Sequence, residues 1–332
     1  MLNNKTILIT GGTGSFGQKF TEIIFKKYKP RKIIIFSRDE YKQFEMSKKF
    51  SEDKYPIRYF IGDIRDKDRL YRAFEGVDYV IHAAALKQVP IGEYNPFEVV
   101  KTNIIGAQNI INAAIDKEVK KVIALSTDKS VNPINLYGAT KLTMERLFIA
   151  GNAYAGGKET IFSVVRYGNV VGSRGSVIPF FQSLINQGIT ELPITDERMT
   201  RFWITLKQGV KLVLKALELA IGGEVFVPKI PSMKIVDLAK ALCPNCKFKI
   251  IGIRPGEKIY ETLISEEEGR KTKIMNSKIF IVLPQFEWRS VLFEKYNNLP
   301  SAPDSFIYRS DKNDWWLSVE ELRDMVRGLK IE

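Results

Sequence analysis

Histidine is nearly missing from this chain: His82 is the single one among 332 residues. That excludes Ser-His-Asp and Cys-His relays as well as metal sites rich in imidazole. Cysteine is almost as scarce. Cys243 and Cys246 form one CxxC, and a structural zinc needs four ligands, so two reduced thiols and no metal are expected. No apolar run approaches the ~18 residues of a membrane span. A strand and a glycine turn begin within the first ten residues, so no leader peptide and a cytoplasmic location are expected. Basic tracts are lacking too. The net charge is +13, but Lys and Arg are scattered, which argues against a nucleic-acid partner and for a basic cleft that takes small anions. Composition is otherwise that of a globular protein, with 45% hydrophobic and 27% charged residues.

What the chain does have starts at its first strand. KTILITGGTGSFGQKF reads as a short apolar strand, a turn with Gly11, Gly14 and Gly17 three apart, and a helix with Phe20, Ile23 and Ile24 on one face. Such glycines allow the tight turn, a close approach of backbone to a pyrophosphate, and packing of helix on strand. The helix N-terminus then offers free amides and partial positive charge to the phosphates. The strand-before, helix-after context makes this a dinucleotide-binding motif. About 20 residues past the last glycine, where the adenosine ribose is read, stand Ser37, Arg38 and Asp39, with Lys42 a turn later. Ser37, Arg38 and Lys42 suit a 2′-phosphate and favour NADP. The alternative, NAD, has Asp39 as the ribose ligand and Arg38 as a solvated surface residue.

STDKSVNPINLYGATK carries the chemistry. Tyr137 and Lys141 are four apart and share a helix face. An ammonium that close is expected to make the Tyr137 proton easier to lose, which gives a base for a hydroxyl proton while hydride leaves the same carbon. Asp128 and Lys129 upstream are two further proton carriers, more than a simple dehydrogenase needs. His82 ends an apolar strand and is read as a hydrogen-bonded structural residue near the cofactor.

Expected strands at about 6–9, 32–36, 57–61, 78–81, 121–125 and 161–165 alternate with helices. The fold class is therefore α/β, a Rossmann-type doubly wound parallel sheet, with a smaller C-terminal α/β substrate-binding domain. Residues 1–166 form the first unit and 167–332 mainly the second, with the chain crossing back to the first. The glycine loop, Ser37-Arg38, Asp63-Ile64, His82 to Lys87, Thr127 to Lys129 and Tyr167 to Asn169 each follow an expected strand and so share one rim. Beyond residue 166, helical pieces are expected at 207–220 and 235–242. Arg174, Arg198, Arg201 and Arg254 are available there for phosphates. The tail from about 267, with Trp288, Tyr308, Trp315 and Trp316, is expected to pack on the body or on a neighbouring subunit.

TGGTGSFG, FSRDE, IGDIRD, HAAALK, YNPFEVVKTNI, LSTDK, NPINLYGATK, RYGNVVGSRGSVIPFF, LPITDERMTRFWIT, GGEVFVPKIPSMKI and IIGIRPGEK run from residue 5 to about 258. With these motifs the chain resembles the extended short-chain dehydrogenase/reductases, and within them the inverting UDP-N-acetylglucosamine 4,6-dehydratases of the pseudaminic acid pathway. The resemblance implies that Tyr137 takes the C4 hydroxyl proton, Lys141 lowers its pKa and holds the nicotinamide ribose, and Thr127 bonds the C4 oxygen. It also implies that Lys129, its pKa depressed by burial and by Lys141, removes the C5 proton, and that Asp128 protonates the departing C6 hydroxyl. Further cofactor residues by resemblance are Thr13, Ser15, Phe16, Asp63, Ile64, Ala83, Lys87, Thr102, Asn103 and Val170. Substrate contacts carried over are Lys87, Tyr137, Asn169, Arg201, Arg254 and Glu257, with Ile178 and Thr195 along the nucleotide channel. Gln88 and Tyr260 stand where the family has histidines. A UDP-sugar substrate and a homo-oligomer follow from the same resemblance.

Overall fold

The computed structural model describes residues 1–172, 177–286 and 294–327. Arg174 and Trp288 lie outside the described residues. Six strands run through the first half: β1 Thr6–Thr10, β2 Lys32–Ser37, β3 Ile57–Ile61, β4 Tyr79–His82, β5 Lys121–Thr127 and β6 Ile161–Tyr167. Their spatial order is β6-β5-β4-β1-β2-β3, and every neighbouring pair is parallel. β1, β2 and β5 are near-continuous apolar runs because helices cover both faces of the sheet, so neither face alternates with polar residues. The order reverses beside β1, between β2 and β4, and that crevice is where such sheets hold ligands.

Three strands from beyond residue 166 extend the sheet past β6. Val225–Pro228 adds in parallel, and Ile279–Val282 and Thr272–Met275 follow antiparallel, making nine strands. A second apolar core, with Ile178, Leu192, Trp203, Leu238 and Leu322 among its members, lies under helices Val177–Asn186, Ile235–Leu242 and Val319–Arg327. The expected helix at 207–220 is Leu206–Leu219, started by a Thr205–Gln208 capping box. In the tail, Tyr308 is buried against Phe202 and Phe280, while Trp315 and Trp316 remain exposed.

The expectation of two reduced thiols is corrected: Cys243 and Cys246 are joined as a disulfide. Helix Ile235–Leu242 ends at Cys243, whose backbone leaves the helical region, and the turn that follows brings the two Cα atoms to 5.4 Å, within disulfide reach. No described helix is long and apolar enough to cross a membrane.

Candidate active site

A cavity of about 670 Å³ opens at the carboxyl ends of the parallel strands. The loop after β1 forms one wall. Gly11 has φ +64°, and a Cβ there would lie 2.9 Å from the Ala84 Cα, so only glycine lets the β1 and β4 loops approach this closely. A Cβ on Gly17 would collide with the Gly12 backbone, which sets the packing of helix Ser15–Lys27 on the turn. That helix is capped by Gly14, which has no side chain to satisfy the first-turn amides, and Ser15 and Phe16 face the cavity. Uncapped amides beside a cavity fit a pyrophosphate.

All the cofactor and catalytic residues expected from the sequence line this cavity except Gly17 and Asn103. Asn103 instead bonds Leu86 through both its amide oxygen and its amide nitrogen, and so holds the 83–87 loop in place. Ser37 is buried, with its hydroxyl 2.9 Å from that of Thr13. Asp39 caps helix Glu40–Lys49, accepting from the Lys42 amide, and lies 2.6 Å from the Lys42 amine, which holds its carboxyl below the usual range. Arg38 is largely exposed, 3.7 Å from Asp63.

His82 is buried, with Nδ1 2.8 Å from the Thr10 hydroxyl; burial, and then Lys141, push its pKa down to about 3. It stays neutral and structural.

At the other end of the cavity, Thr127 caps the short 3₁₀ turn Asp128–Ser130. Asp128 is fully buried; its Oδ1 accepts from the Thr127 hydroxyl and from Lys129 Nζ, both at 3.0 Å, and its Oδ2 has no partner. Lys129 Nζ is also 3.3 Å from Glu261 Oε1. The expected depression of the Lys129 pKa is corrected: burial works against its charge, but Asp128 and Glu261 outweigh burial and push the pKa up. The expected ease of deprotonating Tyr137 is corrected as well. Burial pushes Tyr137 up to about 12, opposed chiefly by Lys129 and the Thr127 hydroxyl. Lys141, four residues on, instead turns inward and donates to the Leu125 carbonyl at 2.6 Å. Burial lowers its own pKa to about 8.

The expected substrate residues divide. Lys87, Tyr137 and Asn169 line the cavity, and the side-chain oxygen of Asn169 has no partner. Ile178, Thr195, Arg201, Arg254 and Glu257 lie outside its lining. Ile178 is fully buried in the second core. Arg201 is buried, donates to the carbonyls of Thr200 and Ile259, and has Nε 3.9 Å from Glu261. Arg254 sits 5.9 Å over the Phe180 ring, and Glu257 keeps a buried oxygen without a partner. The segment carrying these last residues is docked on the catalytic turn by Asn135 to the Gly256 carbonyl and Lys258 to the Val131 carbonyl. Arg198 is exposed and taken up by Asp196 at 2.8 Å. Sequence reasoning gave no role to Glu261, whose place beside Lys129 depends on a fold contact between residues far apart in the chain. No cluster of metal-ligating side chains occurs among the described residues.

The parallel sheet, the glycine cradle and the tyrosine–lysine helix on one rim define an enzyme of the extended short-chain dehydrogenase/reductase type. The chain belongs to the family described as polysaccharide biosynthesis protein, whose model matches residues 7–284. It is 56% identical over 333 residues, 98% of each chain, to a Campylobacter jejuni protein named UDP-N-acetylglucosamine 4,6-dehydratase (inverting). The X-ray structure of Pen from Bacillus thuringiensis superposes with a TM-score of 0.90 at 41% identity, covering 100% of both chains. A Rickettsia akari protein named UDP-glucose 4-epimerase is 48% identical over 278 residues, 82% of this chain and 81% of that one.

Proposed function

We propose that this protein is an inverting 4,6-dehydratase of UDP-N-acetylglucosamine, giving UDP-2-acetamido-2,6-dideoxy-L-arabino-hex-4-ulose. The observation that carries the reading is the Asp128–Lys129 ion pair, which shares one cavity with Tyr137 and the glycine loop. When bound, the nicotinamide cofactor accepts hydride from C4 and returns it at C6. Tyr137 takes the C4 hydroxyl proton, with the Lys129 ammonium and the Thr127 hydroxyl favouring its phenolate. The 4-ketone then acidifies the C5 hydrogen. One proton crossing the 3.0 Å contact from Lys129 Nζ to Asp128 Oδ1 turns the ion pair into a free amine and a carboxylic acid. The amine takes the C5 proton, the acid protonates the C6 hydroxyl, and water leaves with the proton balance closed. The proton that Tyr137 took from the C4 hydroxyl, delivered to the opposite face of C5, gives the inverted product and restores the phenolate.

The test is turnover of UDP-N-acetylglucosamine in deuterium oxide, followed by NMR. The reading expects a 6-deoxy-4-keto product with deuterium at C5 and the L-arabino configuration. A product of retained C5 configuration, or one changed only at C4, refutes it. The epimerase is the second reading, favoured by the likeness to the Rickettsia protein. Epimerisation at C4 has no use for proton carriers at C5 and C6, and the cluster of Lys129 with the buried Asp128 and Glu261 supports the dehydratase.

NADP is the proposed cofactor. Asp39 is engaged with its helix and Lys42, while the exposed Arg38 beside the buried Ser37 suits a 2′-phosphate. The division at residues 166/167, a cytoplasmic location and a homo-oligomer belong to the same proposal. Exposed Ile91, Tyr94 and Phe97, on helices Val89–Tyr94 and Pro96–Val100, are the candidate face between copies. A solution mass equal to one chain would remove the oligomer.

A further inference from the structure

Glu261 has no place in the scheme above, yet it is built into the site as firmly as Asp128. Its main chain is clamped on both sides by Ser310, which accepts from its amide at 3.0 Å and donates to its carbonyl at 2.9 Å. Ser310 is itself tied to Thr200. The Glu261 carboxyl is 3% exposed, with Oε1 closer to Lys129 Nζ (3.3 Å) than to Arg201 Nε (3.9 Å) and Oε2 without a partner. The lysine amine therefore sits between two buried carboxylates, each with one unsatisfied oxygen.

We propose that Glu261 is a positioning residue for Lys129: its fixed carboxylate keeps the amine in reach of the sugar while one proton moves onto Asp128 and another arrives from carbon. The proposal rests on the dehydratase reading. A lysine stem is flexible, and an amine that has just lost its charge has only hydrogen bonds to hold it. With Asp128 protonated, the charged acceptor left for it is Glu261. When the amine takes the carbon-bound proton, the same carboxylate stabilises the new ammonium. The charged and titratable groups facing Lys129 are Asp128 on its own turn, Glu261 and Lys258 from one segment, Arg201 from strand Thr200–Ile204, Lys87 from the loop after β4, and Tyr137. Of these, only Asp128 and Glu261 raise its proton affinity, so removing either carboxylate has a readable effect.

The experiment uses Glu261→Gln, which keeps the shape and loses the charge. In the full-length protein without substrate, the Lys129 Nζ titration is followed by NMR in ¹⁵N-lysine-labelled samples and assigned with Lys129→Arg. Its midpoint is expected to fall by about 1–3 pH units. In a single turnover, deuterium entry at C5 is expected to slow about tenfold or more, while reduction of the cofactor by C4 keeps its rate. An unmoved midpoint, or equal slowing of both steps, overturns the proposal. Should the Gln variant not fold, Glu261→Asp keeps the charge and withdraws its reach. Slowed C5 exchange with unchanged C4 oxidation is then expected, and wild-type exchange overturns the proposal. Wild-type protein that makes no 6-deoxy-4-keto product defeats the dehydratase reading instead, while the titration still reports whether Glu261 acts on Lys129.

Discussion

Gly138→Ala tests whether the catalytic turn and the tyrosine helix are held in contact by the lack of a side chain. Gly138 lies between Tyr137 and Lys141 in the first turn of helix Leu136–Tyr154, where its amide bonds the Asn135 cap. A methyl group there would overlap the Lys129 carbonyl oxygen and stand 3.0 Å from the Pro133 Cβ. Neither obstacle is the free end of a flexible side chain. Carbon normally keeps about 3.3 Å or more from such an oxygen, so helix and turn must separate by on the order of 1 Å. Alanine gains about 0.5–1 kcal/mol over glycine in a helix, and forced overpacking costs about 1–3 kcal/mol. The net loss, at most about 2.5 kcal/mol, leaves a fold of ordinary stability intact. The shift opens directly between Tyr137 on one side and Asp128 and Lys129 on the other, and an error of ~1 Å in reacting geometry costs about 10²-fold in rate. Thermal unfolding should therefore show a folded variant, and single-turnover dehydration should show a rate down about a hundredfold. A variant with wild-type turnover and an unchanged Tm would refute the argument, because it would show that the contact relaxes without moving the reacting groups.

Lys141→Met should stabilise the protein at pH 7 while abolishing turnover. The folded amine titrates at about 8 against 10.5 for the ordinary group, a difference of about 3 kcal/mol against the buried ammonium. Both states carry that proton at pH 7, and between pH 8 and 10.5 only the unfolded chain still binds it. The wild type therefore regains stability with rising pH and the gap narrows, whereas a variant no more stable at pH 7 in urea unfolding defeats the claim. His82 works on the acid side: below pH 6.5 the unfolded chain takes a proton that the fold refuses down to about 3. Stability should fall with acid at up to about 1.4 kcal/mol per pH unit, and His82→Gln should flatten that slope between pH 6.5 and 5; identical slopes sink the assignment. Arg38→Ala should weaken NADP binding much more than NAD binding in titration calorimetry, and equal losses remove the 2′-phosphate argument.

The six strands of the first half were legible to within two residues because most are apolar runs bounded by charge, glycine or proline. The rim was legible for the same reason: the end of a parallel strand fixes where the next loop starts. Strands Val225–Pro228 and Ile279–Val282 are as apolar, and Thr272–Met275 is mixed, but nothing local says which sheet a short strand joins. Charge effects were the least legible. Four-residue spacing puts Lys141 on the Tyr137 face, yet its amine found the Leu125 carbonyl beneath the helix, and the cation opposing the tyrosine's burial is Lys129. Helix periodicity fixes where a Cβ starts, and the burial of a long stem decides where its charge ends.

The same logic explains why a guanidinium with no surface role lies fully buried behind the site. Arg166, in β6, joins Glu145 of the tyrosine helix to Glu268 and donates to the Leu263 carbonyl at 2.8 Å. Glu145 in turn accepts from the Ser130 hydroxyl at 2.7 Å. Ser130 closes the turn that begins with Asp128, and Leu263 lies two residues beyond Glu261 in the chain, so one planar cation ties together the main-chain supports of both carboxylates around Lys129. A buried ion pair is weak evidence for stability, since desolvation consumes most of the attraction. Its rigidity is another matter: a fork of fixed donors holds two acceptors at set distances, which a hydrophobic replacement of equal volume does not. The network is therefore best understood as fixing the spacing of Asp128 and Glu261, on which the position of the amine between them depends.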